Sequence, residues 1–280
     1  MQKIAMAVNP RAGNGLPVML TKKLSASLTA KQISHKIFSD IWPVSFEGFT
    51  DVWIIGGDGT LNYFINHYPS IRLPLVIFKG GTGNDFAWKL YGNCSVEEQF
   101  DLVLKAEPKP IDAASCNNVL YINGVGIGFD GEVLESMKAI RIIGGHIGYY
   151  LVVLKKILTF REPGFKIFSK NLLADEKFLL VMLNNSSRTG GGFHVSPKAS
   201  VNDGLLDLVL VKPLNLIKRF LYLPRIEKGK HLHLPFVSHI TGTEFTVECE
   251  RQLSAQLDGE LIKARRFSFS LLKDQFLFRY

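Results

Sequence analysis

The chain has 280 residues, of which 46% are hydrophobic, and it carries 33 Lys and Arg against 25 Asp and Glu. This composition supports a packed core, which excludes a mainly disordered chain, and the length suits two domains. Three scattered cysteines, with no CxxC or HExxH spacing, exclude a disulfide framework and argue against a thiolate zinc site. The formal charge of +8 favours an anionic partner such as phosphate, nucleic acid or an acidic membrane surface.

The first part of the chain alternates predicted strands and helices. In order, these are strand 3–9, helix 17–30, strand 33–38, strand 51–55, a helix from 61 to 67 and strand 75–78. The apolar run at 51–55 is typical of a strand that is buried on both faces. The alternation predicts an α/β domain with a parallel sheet and with loops at the carboxyl ends of its strands.

From about residue 109 the pattern changes to short β-rich runs, among them 244–249 and 254–257, which predict an antiparallel sandwich or barrel. Helices are expected near 131–160 and 214–229, and the apolar run 149–160 predicts a buried helix. We place the boundary near residue 110, giving domains 1–110 and 111–280. The chain has no signal-peptide pattern and no run of 18 uncharged apolar residues, so we expect a reduced, cytoplasmic protein that does not span a membrane.

The strongest motif is GGDGT at residues 56–60, after a predicted strand and before a predicted helix. Glycines bring backbone N–H groups close to a ligand, and a helix N-terminus suits phosphate. The Asp58 carboxylate makes sense beside phosphates if it binds Mg²⁺ or accepts a proton from a nucleophile. A tight turn in which Asp58 caps the helix explains the same residues equally well.

Two more loops follow predicted strands at the same edge of the sheet. Residues 80–87 (GGTGNDFA) offer clustered backbone donors, and residues 9–13 (NPRAG) add the cation of Arg11. Because such loops converge at the carboxyl ends of parallel strands, the set favours a nucleotide phosphate site. Arg11 either reaches phosphate or is simply solvated.

These loops resemble those of the diacylglycerol kinase catalytic family, which also contains the sphingosine and ceramide kinases and bacterial lipid kinases. The second half agrees in order, with segments 123–130 (NGVGIGFD), 190–193 (GGGF), 202–207 (NDGLLD) and 258–260 (DGE). Each motif alone is unspecific, whereas the ordered set is specific. The resemblance implies an α/β nucleotide domain (like that of the NAD and lipid kinases), a β-rich sandwich domain and a last strand that returns to the first domain.

The resemblance also assigns site residues. The family's nucleotide contacts correspond here to Asn9, Ser39, Gly57, Asp58, Gly59, Thr60, Asn62 and Thr82, with Ser39 standing where relatives carry a Thr. Asp203, with the backbone carbonyls of Ser200 and Leu205, corresponds to a Mg²⁺ site of bacterial members that would order the domain. A plain Asn-Asp-Gly hairpin turn accounts for the same segment.

The resemblance makes Glu260 the proton acceptor. A lipid hydroxyl is a poor nucleophile, so phosphoryl transfer to it needs a base within hydrogen-bond reach. Asp58 is the rival base, and we prefer Glu260 as the base with Asp58 as the organiser of Mg²⁺-ATP. Asp258 is predicted to hold the turn.

A basic stretch at 212–230 interleaves cations with apolar residues, and its cations are Lys212, Lys218, Arg219, Arg225, Lys228 and Lys230. Such a segment suits peripheral contact with an anionic membrane surface, although an ordinary amphipathic helix with a solvated basic face would look the same. No nucleic-acid-reading motif accompanies the charge, so no nucleic-acid partner is expected.

We therefore expect an ATP- and Mg²⁺-dependent lipid kinase that transfers the γ-phosphoryl group to the hydroxyl of a lipid such as diacylglycerol. The alternatives are a non-catalytic nucleotide or lipid sensor on the same fold, or a kinase for a sphingoid or soluble acceptor such as NAD. The sequence leaves open which lipid is the acceptor and whether the protein forms a homodimer.

Overall fold

A computed structural model of the protein describes residues 2–139 and 145–280. Its contacts divide the chain into two units, Met1–Ile111 with Asp274–Tyr280, and Asp112–Lys273. The second unit thus ends at Lys273 and not at residue 280, since the last strand returns to the first unit, as the resemblance implies. The last residues group with the first unit because Phe278 pairs with Leu75 in the parallel sheet and Arg279 forms a buried ion pair with Asp51.

The first unit is an α/β domain. Its elements are β1 (Lys3–Val8), a short 3-10 turn (Ala12–Gly15), α1 (Leu16–Ala30), β2 (Ser34–Ser39), β3 (Asp51–Gly56), α2 (Asp58–His67), β4 (Leu75–Lys79), α3 (Asp85–Tyr91) and α4 (Val96–Lys105). The strands lie in the order β2-β1-β3-β4 and are all parallel, so the predicted parallel sheet is confirmed. Every residue of β3 is buried, as its apolar run predicts.

The second unit is β-rich. Its elements are β5 (Pro108–Cys116, which crosses the boundary), β6 (Val119–Tyr121), β7 (Gly124–Ile127), α5 (Phe129–Ala139), α6 (Gly145–Thr159), β8 (Gly164–Phe168), β9 (Leu172–Lys177), β10 (Leu180–Asn184), β11 (Leu206–Val211), α7 (Leu216–Glu227), β12 (Val237–Gly242), β13 (Glu244–Leu257) and β14 (Glu260–Arg279, whose end belongs to the first unit). Antiparallel pairing runs in the order β12-β11-β10-β7-β13-β14. The expected β-rich second domain is therefore confirmed.

Two sequence predictions for this unit differ from the structure in detail. The runs 244–249 and 254–257 belong to one strand, β13, because the irregularity between Glu248 and Leu253 shifts its register without ending it. The single predicted helix near 131–160 is two helices, α5 and α6. Residues 140–144, between them, lie outside the described part of the chain.

The prediction that the helix at 149–160 is buried is wrong for one of its sides. Within α6, Val152, Val153 and Ile157 face the core, whereas Leu151, Leu154 and Leu158 are exposed. The exposed side of the helix carries leucines together with Lys155, and because leucines are common in cores, the sequence alone predicts burial. Among the helices of the described residues, none is long and apolar enough to cross a membrane.

Candidate functional site

Three loops of the first unit meet backbone to backbone at the carboxyl edge of its sheet. The Gly80 N–H donates to Gly56 O at 2.8 Å. A Cβ on Gly57 would lie 2.8 Å from Gly81 Cα, and one on Gly13 would lie 2.2 Å from Gly80 O. Such distances leave no room for a side chain, so these glycines are required by the approach of the loops. The convergence predicted from the motifs is therefore present.

Asn9 connects the first of these loops to GGDGT. Its N–H donates to Ile55 O at 3.1 Å, and its side-chain Nδ2 donates to Thr60 Oγ1 at 3.0 Å. Its Oδ1 accepts the N–H of Arg11 at 3.1 Å. The N-terminus of α2 begins at Gly57 without a side-chain cap, and Gly59 is exposed in its first turn. Backbone N–H groups at such a helix start can bind phosphate.

Asp58 caps a neighbouring helix. Its two carboxylate oxygens accept the N–H groups of Asp85 and Phe86, each at 3.0 Å, at the start of α3. The sequence left open whether Asp58 caps its own helix, binds Mg²⁺ or acts as a base. The structure shows capping of α3, so this half-buried carboxylate joins the first glycine-rich loop to the second.

The other expected nucleotide contacts differ in exposure. Ser39 is exposed at the end of β2, and Thr82 is exposed within the second glycine-rich loop. Asn62 is buried, and its Oδ1 accepts a hydrogen bond from Asn66 Nδ2 at 3.4 Å within α2. Arg11 is exposed and lies 3.6 Å from Asp40, which offsets part of its charge.

In the second unit, Asp258 holds the turn between β13 and β14. Its carboxylate accepts the N–H groups of Ile122, Asn123 and Gly124 at 2.7, 3.0 and 2.9 Å. The residue is 4% exposed, and its predicted role in the turn is confirmed. Glu260 opens β14 on the far side of this turn and is exposed to solvent.

The loop that contains Asp203 is bound through its backbone by a buried carboxylate, Asp112, which sequence analysis missed. Buried Asp112 accepts the N–H of Gly204 at 2.8 Å and donates its own N–H to Val201 O at 2.7 Å. Exposed Asp203 accepts the N–H of Leu205 at 3.1 Å. An aspartate inside the apolar run of β5 was the available signal, because such a residue must find buried donors.

The chemistry of this loop fits a hard cation. Its available donors are one carboxylate and backbone carbonyl oxygens, which Mg²⁺ and Ca²⁺ accept as ligands. Within residues 2–139 and 145–280, no three His, Cys, Asp or Glu side chains form a cluster that could hold a metal ion. Any ion here would therefore depend on main-chain oxygens and water.

A small apolar cavity of about 80 Å³ lies between strand β10 and helices α5, α6 and α7 of the second unit. Asp130 is a polar residue on its wall, and Oδ2 of Asp130 is buried without a hydrogen-bond partner among the described residues. Burial raises the pKa of Asp130 to about 6. A buried oxygen with no donor is a place where a polar group of a ligand could bind.

Arg219 corrects one sequence interpretation. It was counted with the basic surface of 212–230, yet its side chain is buried and lines the cavity. It pairs with Glu162 at 2.5 Å and donates to Ile157 O and Phe160 O at 2.7 and 3.1 Å, which joins α7 to the end of α6. Burial of its charge is compensated by these acceptors, so Arg219 is structural.

Two of the other cations lie on α7 beside exposed apolar side chains. Ile217 is 78% exposed and Leu221 is 60% exposed, with Lys218 and Arg225 on the same helix. The exposed leucines of α6 lie on the helix that packs against it. Exposed apolar side chains on two helices in contact are a candidate interaction site.

Two family models match the chain. The "Diacylglycerol kinase catalytic domain" matches residues 3–116, and the "YegS C-terminal NAD kinase beta sandwich-like domain" matches residues 123–271. Together they cover both structural units in the order that the motifs predict.

Curated relatives and a solved structure agree with this match. A "Probable lipid kinase YegS-like" of Shewanella frigidimarina is 27% identical over 79% of this chain and 73% of its own length. A "Diacylglycerol kinase" of Mycobacterium tuberculosis is 25% identical over 92% of this chain and 88% of its own length. A crystal structure of a diacylglycerol kinase from Bacillus anthracis shares the fold, with a TM-score of 0.76 and 24% identity over 100% of this chain and 97% of that one.

The fold and the motifs are those of a phosphotransferase that has an α/β domain and a β-sandwich domain. The protein belongs to the diacylglycerol kinase and YegS family of lipid kinases.

Proposed function

We propose that this protein transfers the γ-phosphoryl group of ATP to the hydroxyl of a membrane lipid, with diacylglycerol as the first candidate. The observation that carries the proposal is the backbone contact of the GGDGT loop with the second glycine-rich loop at Gly57 and Gly81, next to the uncapped start of α2. That arrangement suits a polyphosphate, because the loops and the start of α2 offer main-chain N–H groups, which bind phosphate oxygens although they carry no net charge.

The first unit would hold the nucleotide. Amide groups of Gly57 to Thr60 would bind phosphate oxygens, Asn9 would fix the loop through Thr60, and exposed Thr82 and Ser39 would supply hydroxyl contacts. Mg²⁺ bound with the nucleotide would neutralise phosphate charge during transfer. Asp58 would contribute chiefly by holding the two glycine-rich loops together through α3.

The second unit would hold the acceptor. Its apolar cavity suits the start of an acyl chain, since burial of each methylene contributes about 0.8 kcal/mol. Glu260 would take the proton from the acceptor hydroxyl as that oxygen bonds to the γ-phosphorus and the bond from phosphorus to ADP breaks. Glu260 follows a turn that Asp258 holds by three hydrogen bonds, so the backbone of Glu260 has a defined position.

An ion at Asp203 would order the loop 200–205 and, through Asp112, strand β5. It would have no part in the transfer. The main-chain carbonyls of Ser200 and Leu205 would complete its protein ligands, as the family resemblance implies.

Helices α6 and α7 would lie on the membrane surface. Their exposed leucines and Ile217 would enter the interface while Lys218 and Arg225 meet anionic headgroups. We expect Ile217→Glu to weaken sedimentation with phosphatidylglycerol vesicles several-fold. Ile37→Glu, which changes an exposed isoleucine of the first unit, is the control. Equal vesicle binding by all three proteins would contradict this surface.

A lipid panel tests the activity itself. The protein is incubated with radiolabelled ATP and Mg²⁺ and, separately, mixed micelles of diacylglycerol, monoacylglycerol, phosphatidylglycerol, sphingosine or ceramide. We expect label in one glycerolipid product. Saturable ATP binding with no labelled lipid would instead support a sensor, and transfer only to NAD would support a soluble acceptor.

A further inference from the structure

Gln256 is a buried amide near the end of β13, and both its nitrogen and its oxygen have hydrogen-bond partners. Its Nε2 donates to Thr189 Oγ1 at 3.1 Å, and its Oε1 accepts the N–H of Gly259 at 3.3 Å. The carboxyl group of Asp130 lies close to the same side chain, which opposes the rise in the pKa of Asp130. A glutamine amide has two N–H donors and one carbonyl oxygen, so these partners determine its orientation.

Two of the residues around the Gln256 amide belong to the wall of the apolar cavity. Asp130 and Thr189 both line it, and Thr189 begins the glycine-rich loop that returns at Phe193, whose N–H donates to Thr189 O at 2.9 Å. Because Oδ2 of Asp130 lacks a donor among the described residues, a polar group of a molecule in the cavity can bind there. A molecule in the cavity would therefore lie beside Thr189, whose hydroxyl oxygen accepts the hydrogen bond from Gln256.

The third partner belongs to the turn that carries Glu260. Gly259 has a φ of +89° and Asp258 has a φ of +45°, so both residues are in the left-handed region. Asp258 fixes one side of this turn to the backbone of 122–124, and Gln256 fixes the other side through the Gly259 N–H. Glu260 is the next residue, so the direction of its side chain depends on how this peptide is held.

We propose that Gln256 is a positioning residue, which couples the filling of the acceptor cavity to the orientation of the turn that carries Glu260. The inference rests on the proposed roles of the cavity and of Glu260. It adds that the base is brought into place by the acceptor through the amide of Gln256. The amide of Gln256 thus connects the glycine-rich loop on the cavity wall to the turn before Glu260 through two hydrogen bonds.

A double-mutant cycle between Gln256→Leu and Glu260→Gln tests the coupling. For Gln256→Leu we expect kcat for diacylglycerol to fall about 10-fold, with KM for ATP unchanged. The double variant should be as slow as Glu260→Gln alone, within about two-fold, because a positioning residue has no effect once the group it positions is gone. Should Gln256→Leu fail to fold, Gln256→Glu keeps the size and the acceptor oxygen and enters the same cycle.

The matched control is Gln99→Leu, which removes a buried glutamine of the first unit whose Nε2 donates to Ile77 O at 2.8 Å. It should lower thermal stability as much as Gln256→Leu does, yet leave kcat per folded molecule unchanged. An unchanged kcat for Gln256→Leu, or a double variant about 10-fold slower than Glu260→Gln, would overturn the proposal.

Hydrogen exchange separates this proposal from the proposed activity. Protection of the amides of residues 257–261 is measured with and without dioctanoylglycerol micelles. We expect a change on adding the lipid in the wild-type protein and none in Gln256→Leu. Failure of the wild type to label any lipid would refute the activity alone. The coupling is refuted if the two proteins respond alike, including the case in which neither responds.

Discussion

The GGDGT loop of the first unit and the Asp-Gly-Glu turn of the second use the same device to different ends. In each, an aspartate beside glycine accepts backbone N–H groups from a separate segment: Asp58 from the start of α3, and Asp258 from residues 122–124. The turn then presents a second carboxylate, Glu260, to solvent, whereas the loop presents only small residues and main-chain donors.

The difference separates the two candidate bases. The oxygens of Asp58 are already engaged in holding two loops together, and their removal would disturb the proposed phosphate site itself. The turn before Glu260 is held by Asp258 and Gln256. Replacing the Glu260 carboxylate therefore leaves the hydrogen bonds of Asp258 and Gln256 in place, which supports the proposal that Glu260 is the base.

The largest expected effect comes from exchanging these two carboxylates for amides. Glu260→Gln should lower turnover by about 10²–10⁴-fold, the usual contribution of a general base, without weakening ATP binding. Asp58→Asn should instead lower the free energy of unfolding by about 1–3 kcal/mol, because an amide offers one acceptor oxygen where two N–H groups need acceptors.

Turnover, nucleotide affinity and denaturant unfolding are measured on both variants and on the wild type. The comparison fails if Glu260→Gln retains wild-type turnover, or if Asp58→Asn abolishes transfer while its stability and ATP affinity stay at wild-type values. The second result would make Asp58 the base.

The glycines of the two regions differ as well. A Cβ on Gly81 would lie 2.5 Å from Gly57 Cα, whereas a Cβ on Gly259 has no atom within 4 Å and meets only the cost of a φ of +89°. Gly81→Ala should therefore lower the free energy of unfolding by about 3 kcal/mol, and Gly259→Ala by about 1 kcal/mol. Equal losses in urea unfolding would mean that the two glycine-rich loops separate easily.

A pH-dependent effect is expected at Asp130, the carboxylate whose Oδ2 lacks a donor among the described residues. Burial raises the pKa of Asp130 from 3.8 to about 6, so the fold favours its neutral form. Stability from this group is fully present below pH 3.8 and is lost as pH rises through about 6, a loss of at most about 3 kcal/mol.

Asp130→Asn should thus gain stability relative to the wild type as pH rises from 4 to 7, by about 1–2 kcal/mol, since the residue as a whole is only half-buried. Chemical unfolding at several pH values measures the difference. Glu47→Gln, which removes one exposed carboxylate, corrects for the change in net charge. A difference that does not vary with pH would contradict the raised pKa of Asp130 and would mean that its Oδ2 has a donor in solution.

Local patterns were enough to determine much of this protein. Continuous apolar runs place β1, β3 and β4, and the glycines that follow them place the loops, because parallel strands must end at one edge. The ordered motifs indicate the family, and the Asp-Gly step before Glu260 indicates the turn. These conclusions depend on neighbours in the chain or on spacing, which a sequence displays directly.

Only the tertiary structure decided which partners the polar side chains have. Asp58 caps α3 rather than its own helix, Arg219 is buried against Glu162, and Asp112 and Gln256 hold loops far away in sequence. The leucines of α6 look like core residues, and several are exposed. Burial and hydrogen bonding between distant segments arise from packing, and residue type alone does not specify which segments will meet.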